Sequence, residues 1–581
     1  MSQNKFLIPL FVLLCTFFFS CHLIKRRDIS DSPGKDLSDQ QKQAHLSIFL
    51  DANKQKILGN YSEAGALFAE CIRKNPKDDV SYYELASILS QDKKYDDALI
   101  LAKEAVSLNP KNEWYQILLA EIYSNLKQPA NALKIYEKLI RNHPQKTDYY
   151  YELAMLYLFS QRYADAINTY NQLEKIIGIN EDLSVQKQTI YLYNREPEKA
   201  IEEAKKLIQA FPSETKHRIM LADIYLSSNK KDKAFSIYED ILKNDSLNED
   251  IHLALADYYQ KTGNQELYFD NLKKAFANIN VNTDKKIKIL LNYYSSTENN
   301  RSGSLLRQAY ELLDILIKTH PEDAIVYSIY ADFLSRDKKL QQAKEMFLKV
   351  IELDKNRYPV WEELLFILSE TQDYNGLDTL SKQALELYPE QALLYLFNGY
   401  AQFHFKRYDQ AVAVFTDGLV YAVFNSKLSV EFYMYLGECY NHLKKYPESD
   451  AAFENALKIA PENIGILNNY SYYLSLRNEK LDKAKNMSKK ANEIKPDISS
   501  YQDTYAWILF RLGEYNDALI WIEKAIANKG DKNYIILEHY GDILFLLNKK
   551  ENALEQWKKS KELGNPSDTL KNKIDSQSYI P

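Results

Sequence analysis

The chain of 581 residues is poor in structure breakers, with 15 glycines and 16 prolines. That is too few turn-formers for an all-β fold, which needs a turn about every ten residues. Cysteine is scarcer still, at four, and supplies no disulfide framework. No excess of charge is present either. Lys+Arg number 74 against Asp+Glu 80, a net −6, so there is no basic footprint for nucleic acid. Composition at 45% hydrophobic and 27% charged excludes a polytopic membrane protein and a wholly disordered chain. Sites for chemistry are missing as well. None of the nine histidines lies three to five residues from another, and Cys-x-x-Cys, Gly-x-Gly-x-x-Gly, a phosphate loop and Gly-x-Ser-x-Gly are absent. The expectation is no enzyme, no cofactor, no metal and no small-molecule substrate. Tyrosine, by contrast, is abundant at 45.

The N-terminus carries its own signal. Lys5 precedes Phe6 to Phe19, an uncharged and mostly apolar run too short to span a bilayer comfortably but right for a secretory h-region. Ser20-Cys21 follows, and this resembles the lipobox of bacterial lipoproteins, in which the cysteine sulfur is acylated. The resemblance implies a signal peptide over 1–20, lipidation at Cys21 and a flexible tether over 21–40, rich in Asp, Ser, Pro and Gly. Phe18 and Phe19 depart from the usual lipobox residues, and Lys25, Arg26 and Arg27 resist translocation. The rival reading is an uncleaved anchor, Phe6 to Ile24, with the rest facing the cytoplasm. Cys71 and Cys439 are far apart in sequence and are not expected to pair.

What the chain does have is a metre. Pro76, Pro110 and Pro144 are 34 apart; Pro212 follows at 68; Pro321 and Pro389 are again 68 apart; Pro461 and Pro496 differ by 35. Twelve residues before each phase stands a small residue, as at Ala64, Ala98, Ala132, Ala200 and Ala309. Another twelve back is a second small site, as at Ala86, Ala120, Ala154, Gly399, Gly437 and Gly541. Eight before the proline comes a large apolar residue, as at Phe68, Tyr136, Tyr170, Tyr238, Phe347, Phe415 and Phe453. Each unit holds two apolar-periodic stretches at helical offsets. Two antiparallel helices cross closely only where side chains are small, and proline ends the second of them. One such pair cannot bury its apolar face alone, whereas stacked pairs can.

This pattern resembles the tetratricopeptide repeat, whose most familiar stretch is matched by Gly513-x-Tyr515-x-x-Ala518 and Leu58-Gly59-Asn60-Tyr61-x-x-Ala64. The resemblance implies an all-α solenoid, a right-handed superhelix of helix-turn-helix units, about fifteen in number. The reading divides the chain into a repeat block over 41–281, an irregular repeat with an enlarged loop over 282–320, a second block over 321–564, and a capping helix and tail over 565–581. Asn468-Asn469-Tyr470, Asp503-Thr504-Tyr505-Ala506-Trp507 and Glu538-His539-Tyr540-Gly541-Asp542 also look like large tetratricopeptide lipoproteins of Gram-negative envelopes. Together with the lipobox resemblance at Cys21, that likeness implies a lipid-anchored protein of the outer membrane, and the lack of an acidic run after Cys21 resembling a surface-export signal favours the periplasmic face.

In this family the first helix of each unit lines a concave groove where peptides bind. Counting along the frame puts Tyr83, Trp114, Tyr151, Phe159, Tyr193, Phe366, Tyr400, Phe403, His404, Trp507, Phe510 and Arg511 on that face. Aromatics and arginine are typical interface anchors. The clusters Tyr400-Phe403-His404 and Trp507-Phe510-Arg511 stand out. Most other tyrosines read as packing between helices. Lys230-Lys231, Lys338-Lys339, Lys444-Lys445 and Lys549-Lys550 read as dipole caps at the turn, and Lys285, Lys286 and Lys288 as a solvated face. The expected function is a non-enzymatic scaffold whose groove holds an extended peptide or helix of a protein partner in envelope assembly, secretion or cell-wall remodelling. The alternatives are a structural spacer with an empty groove and a cytoplasm-facing anchored adaptor.

Overall fold

In the computed structural model, each proline of the series stands two residues beyond a helix end. The helices stop at Lys74, Leu108, Asn142, Ala210, Thr319, Leu387, Ile459 and Ile494, and the prolines follow at 76, 110, 144, 212, 321, 389, 461 and 496. The residue between is driven out of helical conformation by the proline ring; His143 sits at φ −134° and ψ 64°, Tyr388 at φ −133° and ψ 62°. The structure describes residues 38–245, 248–298 and 303–581. The signal peptide, Cys21 and nearly all of the tether lie outside them.

The chain forms two compact units, 1–241 and 242–581. The first contains α1 (Asp39–Ile57), α2 (Tyr61–Lys74), α3 (Asp79–Gln91), α4 (Tyr95–Leu108), α5 (Glu113–Asn125) and α6 (Pro129–Asn142). It continues with α7 (Thr147–Phe159), α8 (Tyr163–Ile177), α9 (Glu181–Tyr193), α10 (Pro197–Ala210), α11 (Thr215–Ser227) and α12 (Lys231–Asn244), whose last turn crosses the division. The second unit opens with α13 (Ile251–Thr262), α14 (Gln265–Ala277), α15 (Thr283–Ser296), α16 (Ser304–Thr319), α17 (Ala324–Arg336) and α18 (Leu340–Leu353). Then come α19 (Tyr358–Glu370), α20 (Tyr374–Leu387), α21 (Ala392–His404), α22 (Tyr408–Tyr421), α23 (Ser426–His442) and α24 (Tyr446–Ile459). It closes with α25 (Ile464–Arg477), α26 (Leu481–Ile494), α27 (Ser499–Arg511), α28 (Tyr515–Ala527), α29 (Tyr534–Leu546), α30 (Lys550–Glu562) and α31 (Asp568–Ser576). Among the described residues these are fifteen helix pairs and one closing helix, with no strand.

The small residues sit at the crossings. Ala86, Ala98, Ala120, Ala132, Ala331 and Ala343 are fully buried, and so are the large residues that fill toward the next unit, Phe68, Tyr238, Phe415 and Phe453. Where the crossing residue is glycine the approach is closest: a Cβ on Gly437 would stand 2.8 Å from Phe453.

The turn inside each pair carries the same metre in its backbone. Residues 59, 93, 127, 161, 195, 229 and 263, each 34 after the last, all have φ between 57° and 85°. Only Gly59 and Gly263 in that series are glycines. Turn lysines take part in the same conformation. Lys338 and Lys444 occupy the left-handed position itself, at φ 58° and 60°.

Lys286 corrects the reading of a solvated lysine face. Lys286, Leu290 and Tyr293 share the buried side of α15. The Lys286 ammonium donates to the Asn278 carbonyl at 2.8 Å and lies 2.8 Å from His320 Nε2. Burial lowers its pKa to about 8. Cys71 and Cys439 are both buried free thiols.

Candidate functional site

First helices of neighbouring pairs touch in the second unit, α19 with α21 and α21 with α23, then α25 with α27 and α27 with α29, so each of these runs presents a shared first-helix face. A cavity of about 520 Å³ is lined by Leu291, Tyr294, Asp332, Phe333, Arg336 and Glu363 from α15, α17 and α19. Burial, reinforced by the charge of Glu363, pushes the Asp332 carboxyl up to about 6.

The richest part of the face is on α21 and α23. Here Tyr400, Phe403 and His404 come together, as expected, and join a larger aromatic wall. His404 stacks on Tyr374 at 3.9 Å, and Tyr400 packs edge-on against His404 at 4.6 Å. Tyr435 lies 5.6 Å from Tyr400 and 5.7 Å from Phe403. His442 stacks on Tyr408 at 4.4 Å and closes on Phe403 at 6.1 Å. Burial holds His404 below the ordinary imidazole pKa; burial and then the charge of Lys406 do the same for His442. Both rings are thus biased toward the neutral, stacking form. Glu431 and Glu438, also on α23, have carboxyls raised by burial, and Asn469 donates to Glu438 at 2.9 Å. Glu431, Tyr435 and Glu438 lie four and three residues apart on α23, so the two carboxyls share a helix face with the Tyr435 ring.

Tyr374, Tyr408, Tyr435, His442, Glu431 and Glu438 were not singled out from sequence. His442 was findable: it stands five residues after Gly437, as His404 stands five after Gly399. The other residues read onto this face are scattered. Trp114, Phe159 and Tyr193 are exposed in the first unit; Tyr83 packs on Tyr115 at 4.9 Å and Tyr151 on Tyr170 at 6.4 Å. Phe366 is exposed on α19 and meets Phe397 at 4.9 Å.

The cluster at Trp507, Phe510 and Arg511 departs from expectation. Trp507 is 8% exposed and Phe510 5%, so neither is open to a partner. Trp507 is sandwiched by His539 at 4.0 Å and Phe510 at 4.8 Å, and the tail lays Tyr579 on Phe510 at 5.8 Å. Arg511 is half-buried, and its charge acts on the Tyr579 hydroxyl. Behind them lies a paired polar layer. His539 meets Asp503 at 2.9 Å, and Lys573 of α31 reaches Asp542 at 2.7 Å and Glu538 at 3.0 Å. The closing helix and tail thus seal the end of the first-helix face, which sequence periodicity does not reveal.

Helical hairpins stacked one on the next define a helical-repeat scaffold, an architecture suited to protein–protein interaction. Tetratricopeptide repeat models match residues 57–122, 89–150, 147–178, 189–249 and 305–561. The chain belongs to the tetratricopeptide repeat family. It is similar to a solved tetratricopeptide repeat protein from Parabacteroides merdae, at 17% identity over 47% of this chain and 99% of that one, with TM-score 0.27. It is similar to yeast Tom70, at 16% identity over 86% and 95%, TM-score 0.29. It is also similar to the Cut9-Hcn1 hetero-tetramer of APC/C, at 12% identity over 94% and 97%, TM-score 0.31. No curated protein matches the sequence. No described helix is long and apolar enough to cross a membrane.

Proposed function

We propose that this protein is a non-enzymatic adaptor whose first-helix groove holds an extended segment or helix of another protein. The observation that carries this reading is the wall of Tyr374, Tyr400, Phe403, His404, Tyr435 and His442. It is an array of large, stiff rings on rigid helices, where side-chain ordering on binding costs least. With Glu431 and Glu438 on the same helix, the segment it suits bears aliphatic or aromatic side chains and a lysine or arginine. We place the adaptor at an outer membrane, anchored through acylated Cys21 on the periplasmic face, serving envelope assembly, secretion or wall remodelling.

Two experiments test this. Tyr400→Ala with Tyr435→Ala abolishes partner co-purification from cells and leaves the helical circular dichroism unchanged; retained co-purification would place recognition elsewhere. Metabolic palmitate labels the wild type and not Cys21→Ser; equal labelling, or an intact Met1 on the membrane-bound protein, would refute the anchor.

A further inference from the structure

The junction of the first two helix pairs breaks the repeat pattern at three positions, which meet a fourth residue in space. His45 on α1 stands where later repeats have Asp79, Glu113 and Thr147. Cys71 on α2 stands where they have Ala105, Leu139 and Leu173. Ser81 replaces the large Tyr115 and Tyr149. Asp78, the N-cap of α3, completes the set. His45 Nε2 lies 2.9 Å from Asp78 Oδ2, and the ligand atoms of His45, Cys71 and Asp78 are all within 4.8 Å of one another. Cys71 is fully buried and Asp78 nearly so, while His45 keeps an edge to solvent, which supplies an entry path. Ser81 donates its backbone N–H to Asp78 Oδ1 at 3.2 Å and its hydroxyl to Oδ2, the oxygen that also meets His45, so the carboxylate is held in place from both oxygens.

We propose that His45 Nε2, Cys71 Sγ and Asp78 Oδ2 form a binding site for zinc or a similar borderline divalent transition metal. Donors about 2.0–2.3 Å from a tetrahedral ion lie roughly 3.3–3.8 Å apart. The three atoms reach that spacing by shifts on the order of 1 Å. One nitrogen, one sulfur and one oxygen are the ligand types zinc takes, and solvent fills the fourth position. The charges also close: a thiolate and a carboxylate neutralise the dication, and the imidazole stays neutral with its hydrogen on Nδ1. Binding sends the Cys71 thiol proton to solvent. The three ligands come from α1, from α2 and from the cap of α3, so the ion would staple the first repeat to the second. Spacing rules could not find this site, because no two ligands share a helix.

The test titrates cobalt into the chelator-treated full-length protein. One equivalent binds, giving the intense visible bands of a four-coordinate site and a near-ultraviolet thiolate-to-cobalt band, and zinc displaces it. Cys71→Ala abolishes the thiolate band. Alanine is the natural residue at that register in the next repeat, so the variant folds, as circular dichroism checks. His45→Ala weakens binding by at least about ten-fold, and Cys439→Ala leaves it unchanged. Absence of saturable binding, or a thiolate band that persists in Cys71→Ala, would overturn the site.

Discussion

Lys286→Met should stabilise the second unit near α15, against the usual expectation for losing a hydrogen-bonded group. The ammonium falls from an ordinary pKa of 10.5 to about 8 because burial strips its water. At about 1.4 kcal/mol per pKa unit, holding it charged costs on the order of 3 kcal/mol. Methionine keeps the stem's volume and removes the charge. The loss is the donor to the Asn278 carbonyl and the contact with His320. Both residues are half-buried, so this costs about 1–2 kcal/mol. The net is a gain of about 1–2 kcal/mol at pH 7. The pH dependence fixes the cause. Below pH 8 lysine is charged in both states and the gap is constant. From pH 8 to 10.5 the folded wild type has released a proton that the unfolded chain still binds, so wild-type stability climbs with pH and the variant's advantage shrinks. Amide hydrogen exchange in α15 and α16, corrected for intrinsic rate, reads this locally at pH 7 and pH 9.5. The charge of Lys286 also helps hold His320 below its ordinary pKa, so the variant's His320 titrates higher by NMR. Lower protection at pH 7, or a difference indifferent to pH, would refute the reasoning.

Lys127→Gly relieves a left-handed turn at φ 57°; it should raise the thermal midpoint, with a gain of about 0.5–1 kcal/mol after glycine's extra chain entropy. Gly437→Ala should lower stability by about 1–3 kcal/mol in denaturant titration, because its methyl would press on the buried Phe453 ring. Deleting residues 577–581 removes Tyr579 from Phe510 and should make Trp507 quenchable by acrylamide; unchanged quenching would mean that α31 alone seals that face.

The repeat frame was legible because it is local. The proline that stops each second helix, the small residue at each crossing and the ring that fills the next gap act within one 34-residue unit. The left-handed turn was legible at Gly59, Gly263 and Gly513 and at Asn229 and Asn548, but the lysines and glutamines at the same turn position give no compositional sign of positive φ. Lys286 was hidden by its neighbours: three lysines in four residues look like a solvated run, yet the helical period puts 286 with Leu290 and Tyr293. The candidate wall was half visible. Tyr400, Phe403 and His404 are close in sequence, but Tyr435 and His442 lie one repeat on, and the step from Gly399 to Gly437 is 38 rather than 34. Trp507 and Phe510 were misplaced because what covers them, His539 on the next first helix and Tyr579 in the tail, is remote in sequence. The junction of His45, Cys71 and Asp78 needs three helices packed before it exists at all.

The account stands on the first-helix wall as a seat for another protein. A photoreactive phenylalanine analogue at position 403, compared in intact cells with one at the exposed second-helix position 383, tests this directly. The wall predicts one discrete crosslinked partner from 403, lost when Tyr400 and Tyr435 are alanine, and none from 383. No adduct from 403, or the same adducts from both positions, would contradict it.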